Sequence, residues 1–272
     1  MASVLSALPA VLERHELKYL VPYSQVEAIS DFISPYCSLD YYSDKAENHF
    51  YTVNSLYFDT PTFQFLQQRM YGRDMRFNMR ARAYADGDKP PYFLEIKHKT
   101  GPIVKKYRAT ANDEEWPRIL ADPNYRVSGD DEPKEKRNKE LFLRLAMSYS
   151  IEPKILTQYR RRAFFSTVDE YARVTMDISM KYRLEDRLIL TPNNDMNSYD
   201  NQNIYTGNTF HTGESVILEL KCNIGQVPMW MLDIIQRFNL KQIGFSKYMN
   251  STMVAREENG YSYMTGDRVG ML

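Results

Sequence analysis

Cysteine is scarce in this chain, with only Cys37 and Cys222 among 272 residues. Two thiols so far apart exclude a disulfide framework, and they cannot build a tetrahedral zinc site without histidine or carboxylate ligands. We interpret both as buried or incidental thiols of a protein in a reducing compartment.

Long apolar segments are also missing. No run approaches the roughly 18 apolar residues that a membrane-spanning helix needs. The first residues, MASVLSALPAVLERHE, lack the basic segment that opens a secretory signal. We therefore expect a cytoplasmic protein without a transmembrane segment, and docking to a membrane partner stays open.

Neither charge sign is in excess, since 35 Lys and Arg residues balance 35 Asp and Glu residues. This balance argues against a basic surface for duplex DNA, so we expect no nucleic-acid partner. A local basic site remains possible because net charge does not locate the charges. The four histidines are scattered and suggest no Ser-His-Asp triad, so we expect surface or structural roles for them.

Strand-like segments dominate the chain. They are rich in Tyr, Phe, Val and Ile, and turn formers such as Asp86-Gly87 separate them. The predicted strands are 15–21, 51–58, 76–84, 91–99, 103–110, 155–166, 171–183 and 215–221. Their number and spacing favour a sheet closed into a barrel or a sandwich. The fold class is therefore α+β, with an antiparallel β-barrel and helices packed outside.

Helices are fewer than strands. We predict them after Ser24, which can cap a helix with Glu27 at the capping-box position, and over 62–70, 133–149 and 228–238. The polar, Asn-rich stretch 191–210 is predicted to be a mobile loop. No repeat or linker divides the chain, so we expect one domain over 1–272 with its core at about 13–250.

Charged residues alternate with apolar ones along these strands in an unusual way. A half-exposed strand commonly shows neutral polar residues on its outer face, whereas here arginine and lysine recur at every second position. The charged faces comprise Asn78, Arg80, Arg82 and Tyr84; Glu95, Lys97 and Lys99; Tyr159 and Arg161; Arg173, Thr175, Asp177 and Ser179; and Glu219 and Lys221.

Two interpretations of these faces are open. An antiparallel sheet can keep one charged face in water. Alternatively, the sheet closes with its apolar faces outward against helices, and the cations line a polar tunnel. So many inward cations would repel one another unless an anion neutralises them. Arginine forks and lysine point charges match phosphate oxygens, which makes a polyanion the natural guest.

Glu95 and Glu219 are the carboxylates on these faces. Hard divalent ions take oxygen ligands from one or two carboxylates plus substrate phosphates. The alternative for each glutamate is a salt bridge to a neighbouring lysine or arginine. We treat both as candidate metal ligands.

At these residues the chain resembles the VTC domain, the catalytic domain of the vacuolar transporter chaperone polyphosphate polymerase. More broadly it is similar to the CYTH-like triphosphate tunnel metalloenzymes. Nine pieces in the family's order carry the resemblance from about residue 13 to 250: ERHELKYLV, SLYFDT, MRARAY, LEIKHK, KKYR, QYRRRAFF, RVTMDISM, LELK and FSKY.

The resemblance assigns roles to individual residues. It implies that basic residues hold the triphosphate and the growing chain, namely Lys18, Arg80, Arg82, Lys97, Lys106, Arg161, Arg173 and Lys247. The register at Lys106 is open because Lys105 is adjacent. Tyr159 and Ser246 match hydroxyl donors to phosphate, and Glu219 matches the metal-binding glutamate, with Mn²⁺ or Mg²⁺ implied. From the charged faces we add Lys99 and Lys221 as substrate-binding residues, and we expect Asp177 to position Arg173.

Two departures from the family pattern affect the expected activity. Tunnel triphosphatases often begin with ExExK, whereas Arg14 replaces the first glutamate here, and Glu16 and Lys18 are kept. This loss favours the polymerase branch. The chain also has no room for a phosphate-sensing domain or membrane helices, so it resembles a stand-alone, prokaryotic-type version.

The implied reaction transfers the γ-phosphoryl of ATP or another nucleoside triphosphate to phosphate or polyphosphate. Positioning and charge neutralisation suffice for such a transfer. One rival is a metal-dependent triphosphatase on the same fold. Another is a non-catalytic module that binds polyphosphate or RNA, in which Tyr71, Tyr84, Tyr92 and Tyr107 stack on bases.

Overall fold

The computed structural model describes residues 14–84, 91–101, 103–129, 131–191, 195–199 and 215–259. The predicted mobile loop 191–210 falls mostly beyond them, since 192–194 and 200–210 lie outside the described residues. The part of this stretch that is described contains a two-residue strand, and the side chain of Tyr199 next to it is buried.

Ten strands occur in the described ranges. They are β1 (Arg14–Pro22), β2 (Cys37–Leu39), β3 (Tyr51–Asp59), β4 (Met75–Tyr84), β5 (Tyr92–Thr100), β6 (Ile103–Ala111), β7 (Glu152–Ser166), β8 (Ala172–Leu184), β9 (Asn197–Ser198) and β10 (Ser215–Asn223). All eight predicted strands are present with small shifts of their ends. The two additional strands, β2 and β9, are too short to show an alternating pattern.

These strands form one antiparallel sheet in the order β1-β10-β8-β7-β3-β4-β5-β6, with β2 beside β7 and β9 beside β8. Within the described residues, the edge strands β1 and β6 share no backbone pairing. Lys18 of β1 and Lys106 of β6 nevertheless line the same cavity, so the sheet curls round. Glu16 of β1 spans the gap by a salt bridge of 2.6 Å to Lys97 of β5. The predicted α+β architecture is confirmed, but among the described residues backbone hydrogen bonds do not close the sheet, and this salt bridge links β1 to β5, the strand next to the other edge.

Seven α-helices accompany the sheet in the described part of the chain. They are α1 (Val26–Ile33), α2 (Tyr41–Lys45), α3 (Gln64–Met70), α4 (Arg118–Ala121), α5 (Pro133–Ser148), α6 (Met229–Arg237) and α7 (Lys247–Asn259). None of the helices described has the length and apolarity that crossing a membrane would need.

The predicted cap of the first helix is wrong. Ser24 lies inside a short 3₁₀ turn, and α1 begins after Gln25 without a side-chain cap. Glu27 is not free to complete a capping box, because its carboxylate lies 3.0 Å from the guanidinium of Arg162. A tertiary salt bridge therefore replaces the local cap.

The outward faces of the sheet carry two apolar cores. Val174, Met176, Leu218 and Leu220 pack with α1 and α6. On the other side of the molecule, Ala81, Leu94 and Ile96 pack in a cluster with Phe142 of α5. The prediction that the apolar strand faces point away from the interior holds for β4, β5, β10 and the part of β8 up to Ile178.

The interior is divided between an apolar part and a charged part. Tyr248, Val254 and Ala255 of α7 pack with Tyr57, Tyr159 and Phe245 inside the curled sheet. The helix α7 was not predicted, because a helix buried on several sides shows no single apolar face. The interior is therefore not polar throughout, and the charged residues occupy the remaining part.

A bulge in β8 creates this division. Ser179 has φ of 52°, and the pairing of β7 with β8 shifts between Gln158 and Arg160. A bulge inserts one residue and reverses the alternation beyond it. Met180 and Tyr182 therefore join the apolar interior, whereas the sequence had predicted Ser179 on the charged face.

Candidate functional site

A cavity of about 480 Å³ occupies the charged part of the interior. The inward positions of β1, β4, β5, β6, β7, β8 and β10 supply most of its wall. The start of α7 and the preceding loop supply the rest. All fourteen site residues predicted from the sequence line it: Lys18, Arg80, Arg82, Glu95, Lys97, Lys99, Lys106, Tyr159, Arg161, Arg173, Glu219, Lys221, Ser246 and Lys247. Their chemical roles stay predictions, but the structure brings every one of them together.

Sequence reasoning left several lining residues unassigned. The alternation of strand residues could have predicted Glu16 and Arg108, because each lies two positions from a predicted residue on the same strand. Arg76 had the same signal at the start of β4. Arg69 comes from α3 and Tyr57 from β3, where no charge alternation marks them. The ambiguity between Lys105 and Lys106 is resolved, because Lys106 lines the cavity.

The cavity concentrates positive charge in a chain that is neutral overall. Among the described residues, thirteen lysines and arginines but only three glutamates line it. Since like charges at such density repel, the arrangement is stable only where carboxylates or a bound anion compensate them. The three glutamates are therefore informative about the site.

Glu95 is the centre of a dense ion-pair cluster. Its carboxylate is 2% exposed. It lies 2.6 Å from Arg80, 2.6 Å from Arg108, 2.8 Å from Lys106 and 3.9 Å from Arg82. Burial raises the pKa of Glu95, but these four cations outweigh burial and hold the pKa well below its usual range. Both oxygens are already engaged, which favours the salt-bridge interpretation that the sequence left open.

Asp177 forms a second buried ion-pair group. It accepts two hydrogen bonds from Arg161, at 2.6 and 2.8 Å, and one from Lys247 at 2.5 Å. Asp177 thus joins β7 to the start of α7. The expectation that it positions Arg173 is wrong, because Arg173 instead lies 3.2 Å from Asp40.

Glu219 has looser partners than Glu95. Its oxygens lie 3.8 Å from Nζ of Lys18 and 3.1 Å from Nζ of Lys221. Burial raises the pKa of Glu219, but the lysines around it lower the pKa well below its usual range, so the carboxylate stays ionised. Glu16 lies on the adjacent strand, where its Cα pairs with Lys221.

Several cavity lysines, including Lys99 and Lys221, have lowered pKa values, and the lowering is large at Lys106 and Lys18. Burial is the largest cause at Lys106, and the neighbouring arginines add to it, so that its pKa is lowered to about 7. Burial, Lys97 and Lys247 lower the pKa of Lys18 to about 8. In both cases the nearby glutamate acts in the opposite direction but is outweighed. The cavity therefore contains more cationic groups than its own carboxylates stabilise.

Two tyrosines place hydroxyl groups among these cations. Arg82 and Arg108 donate to the phenol oxygen of Tyr84 at 3.3 and 3.1 Å. Burial raises the pKa of Tyr84, but the two guanidiniums lower it to about 7. The hydroxyl of Tyr159 is buried and has no hydrogen-bond partner among the described residues. A buried hydroxyl without a partner is costly, which indicates that a ligand completes it.

The donor set suits a metal held jointly with a ligand. The described residues contain no group of three His, Cys, Asp or Glu side chains that could hold an ion alone. Mg²⁺ and Mn²⁺ bind one or two carboxylates together with substrate phosphates and water. Glu219, ionised and loosely paired, fits that requirement with Glu16 beside it, whereas a cation at Glu95 would meet four others.

The other tyrosines considered for base stacking lie elsewhere. Tyr92 is buried in an outer core, where its hydroxyl lies 2.8 Å from Asp113. Tyr107 packs against the same core. Tyr71, at the end of α3, is exposed but does not line the cavity. Of these four tyrosines only Tyr84 reaches the cavity.

Comparisons with known proteins identify a family for this chain. One family model, described as the VTC domain, matches residues 13–256. The comparison with curated proteins found no match.

Solved structures that are similar include a candidate adenylate cyclase from Bacillus halodurans, with a TM-score of 0.46, 14% identity and coverage of 86% of this chain and 95% of that one. The PH1819 protein of Pyrococcus horikoshii OT3 has a TM-score of 0.41, 11% identity and coverage of 90% and 99%. A candidate adenylyl cyclase from Hippeastrum is described as having a dominant triphosphatase activity. It has a TM-score of 0.46, 13% identity and coverage of 91% of this chain and 96% of that one. At TM-scores this low, these likenesses support no argument about function.

Proposed function

The chain belongs to the VTC domain family, and we propose that it is a polyphosphate polymerase working as a single domain in the cytoplasm. It transfers the γ-phosphoryl of a nucleoside triphosphate, with ATP the first candidate, to phosphate or to the end of a polyphosphate chain. The observation that carries this proposal is the segregation of charge. Within the described part of a chain that is neutral overall, thirteen cations and three glutamates line one cavity, and a polyphosphate is the anion that such a cavity best accommodates.

The cations bind and orient the phosphates. Arginines contribute paired donors, and lysines contribute single charges that follow the chain. Asp177 holds Arg161 and Lys247 in place, so the two cations act as one unit. The phosphate-binding set is Lys18, Arg80, Arg82, Lys97, Lys99, Lys106, Arg161, Arg173, Lys221 and Lys247, with Tyr159 and Ser246 as hydroxyl donors.

No general base is needed in this reaction. The attacking group is a phosphate oxygen that is already ionised near neutral pH. Phosphoryl transfer then depends on alignment and on neutralising the charge of the transition state. The ionised Glu95 keeps the guanidiniums of Arg80 and Arg108 fixed on the cavity wall, which reduces the reorganisation that transfer would otherwise require.

A divalent ion belongs at Glu219. When bound, Mn²⁺ or Mg²⁺ supplies additional neutralisation of phosphate charge. The lysines beside Glu219 keep it deprotonated and limit its mobility. Glu16, which lies on the adjacent strand and pairs with Lys97 at 2.6 Å, would be the second candidate carboxylate for such an ion.

The polymerase proposal is tested by product analysis. The protein is incubated with ATP and Mn²⁺, and the products are separated on a gel stained for polyphosphate. We expect long polymer that requires the metal. Release of free phosphate alone would instead identify a triphosphatase, for which the retained Glu16 in the cavity is the favouring observation. Metal-independent binding without turnover would identify a polyanion-binding module.

Tyr159→Phe gives a sharper test of the cavity. Because the hydroxyl of Tyr159 has no partner among the described residues, its removal should leave the free energy of unfolding unchanged or slightly higher. Affinity for tripolyphosphate should fall about 10-fold, since a hydrogen bond to a charged group contributes about 1.5–3 kcal/mol. Calorimetric titration and urea unfolding measure the two quantities. Unchanged affinity would remove Tyr159 from the phosphate site.

A further inference from the structure

Five aromatic rings form a continuous cluster beside one end of the cavity. The ring of Tyr42 lies 5.5 Å from Tyr41, 5.3 Å from Tyr51 and 5.0 Å from Tyr84, measured between centroids. Tyr84 in turn lies 5.2 Å from Phe93. We refer to Tyr41, Tyr42, Tyr51, Tyr84 and Phe93 as the aromatic cluster. Its residues come from four elements: α2, the start of β3, the end of β4 and the start of β5.

The aromatic cluster touches the cationic wall directly. Tyr84 belongs to both, because it lines the cavity and accepts hydrogen bonds from Arg82 and Arg108. The guanidinium of Arg108 also lies 4.6 Å from the centroid of Phe93. A ligand with phosphates at Arg82 and Arg108 would therefore have the aromatic rings at its other end.

The outermost rings are open to solvent. Tyr41 is 66% exposed and Tyr42 is 38% exposed. A single exposed tyrosine is ordinary on a protein surface. Here, however, two exposed rings continue a cluster that ends among phosphate-binding arginines, and this continuity distinguishes them from isolated surface aromatics.

Asp40 holds the exposed rings in place. Its carboxylate accepts a hydrogen bond from the backbone of Ser43 at 2.8 Å, which caps α2. The same carboxylate lies 3.2 Å from Arg173, a cavity residue, and 3.3 Å from the hydroxyl of Tyr51. The short helix that carries Tyr41 and Tyr42 is thus tied to the cavity wall, so its rings are preorganised for binding.

We propose that the aromatic cluster is a stacking platform for the base of the nucleoside triphosphate, with Tyr42 and Tyr41 as its exposed rings. The inference rests on the proposed function, since it needs a nucleotide whose phosphates enter the cavity. Stacking on aromatic rings accepts every base because each has a π-face. Tyrosine provides a rigid ring at a small cost in side-chain entropy. The platform therefore selects nucleotides over inorganic phosphates.

Calorimetric titration with two probes tests the platform. One probe is the non-hydrolysable β,γ-imido analogue of ATP, and the other is inorganic tripolyphosphate, which has no base. In the wild-type protein we expect the nucleotide to bind more tightly. Tyr42→Ala should weaken nucleotide binding about 10-fold, the effect of losing one base–aromatic stack, and leave tripolyphosphate binding unchanged. Tyr42→Phe keeps the ring and should bind as the wild type does.

Two further variants show whether a loss of nucleotide affinity comes from unfolding or from removing any exposed ring. Tyr41→Ala changes a ring that is mostly in solvent, so the fold is preserved, and we expect a smaller loss of nucleotide affinity of about 3-fold. Tyr23→Ala removes an exposed ring that does not line the cavity and should change neither titration. Unfolding midpoints of all variants are measured in parallel.

The outcomes separate the platform from the proposed function. If Tyr42→Ala and Tyr41→Ala bind the nucleotide as tightly as the wild type, the platform is wrong and the polymerase proposal stands. If both probes lose affinity equally, the rings only support the arginines, and the platform is again wrong. Should the wild-type protein bind neither probe, the proposed function fails and the platform with it.

Discussion

Glu95 and Glu219 line the same cavity, but their surroundings differ. Glu95 has four cations around it, three of them within 2.8 Å, and both of its oxygens are engaged. Glu219 has lysines at 3.1 and 3.8 Å. Both carboxylates have pKa values held well below the usual range, so ionisation alone does not distinguish them. What distinguishes the two carboxylates is how closely their oxygens are already paired with cations, because only the loosely paired carboxylate can accept another cation.

This difference distinguishes two regions of one cavity. In the Glu95 region an internal carboxylate pairs closely with two arginines and a lysine. The Glu219 region keeps a carboxylate available beside lysines. A saturated ion-pair cluster serves positioning, whereas an unsaturated one suits metal binding.

Glu219→Gln should produce the largest effect. Removing the ionised ligand is expected to lower metal-dependent turnover roughly 100-fold, in line with the loss seen when metal sites are disturbed. Turnover of ATP is measured against Mn²⁺ concentration. Glu27→Gln, which changes an exposed glutamate paired with Arg162, is the control. An unchanged Mn²⁺ titration in Glu219→Gln would remove the distinction between the two carboxylates.

Glu95→Gln should mainly reduce stability. It leaves Arg80, Arg82, Lys106 and Arg108 without their shared carboxylate, and breaking a buried ion pair costs about 3–5 kcal/mol. Because Lys106 and Arg108 are partly exposed to solvent, we expect a smaller loss of about 2 kcal/mol in urea unfolding. Added tripolyphosphate should restore more stability to this variant than to the wild type. A loss no larger than that of Glu27→Gln would contradict the cluster's structural role.

The smallest of the expected effects is on the pH dependence of anion binding. It should differ between Lys106, which lies beside Glu95, and Lys18, which lies beside Glu219. A phosphate chain binds the protonated lysine, so affinity is full below the lysine pKa and declines as pH rises through it. With the pKa of Lys106 at about 7 and that of Lys18 at about 8, tripolyphosphate affinity should fall by about 10-fold from pH 7 to pH 9.

Replacing each lysine by arginine shows which lysine causes which part of the fall in tripolyphosphate affinity. Arginine remains charged throughout this range. Lys106→Arg should therefore remove the decline near pH 7, and Lys18→Arg the decline near pH 8. Binding is measured by calorimetry between pH 7 and pH 9. If neither variant alters the profile, the decline does not come from these lysines.

Strand alternation was predictable because the side-chain period of a strand is local. Charged residues at every second position of β4, β5 and β10 placed Arg80, Lys97 and Glu219 on one face, and the structure agrees. The alternation in β8 failed beyond Ser179, since a bulge depends on how β7 and β8 pair. The helix α7 was missed because its apolar residues face several partners.

The register between strands was not predictable. Arg80 lies directly opposite Glu95, and Lys18 directly opposite Glu219, although each pair is far apart in sequence. The partner of Asp177 was misassigned for the same reason, because a neighbour on its own strand was favoured over Arg161 across the sheet. Local patterns give no information on such pairings.

The amino-acid sequence by itself determined the strands, the side of each strand that carries charge and the family to which the chain belongs. These properties follow from local periodicity and from motifs that occur in a recognisable order. Tertiary structure decided which carboxylate has close cations on both oxygens and which has looser partners, and it packed the exposed Tyr42 against Tyr84 of the cavity wall. Those outcomes depend on distances between segments remote in the chain, which only the curled and bulged sheet establishes.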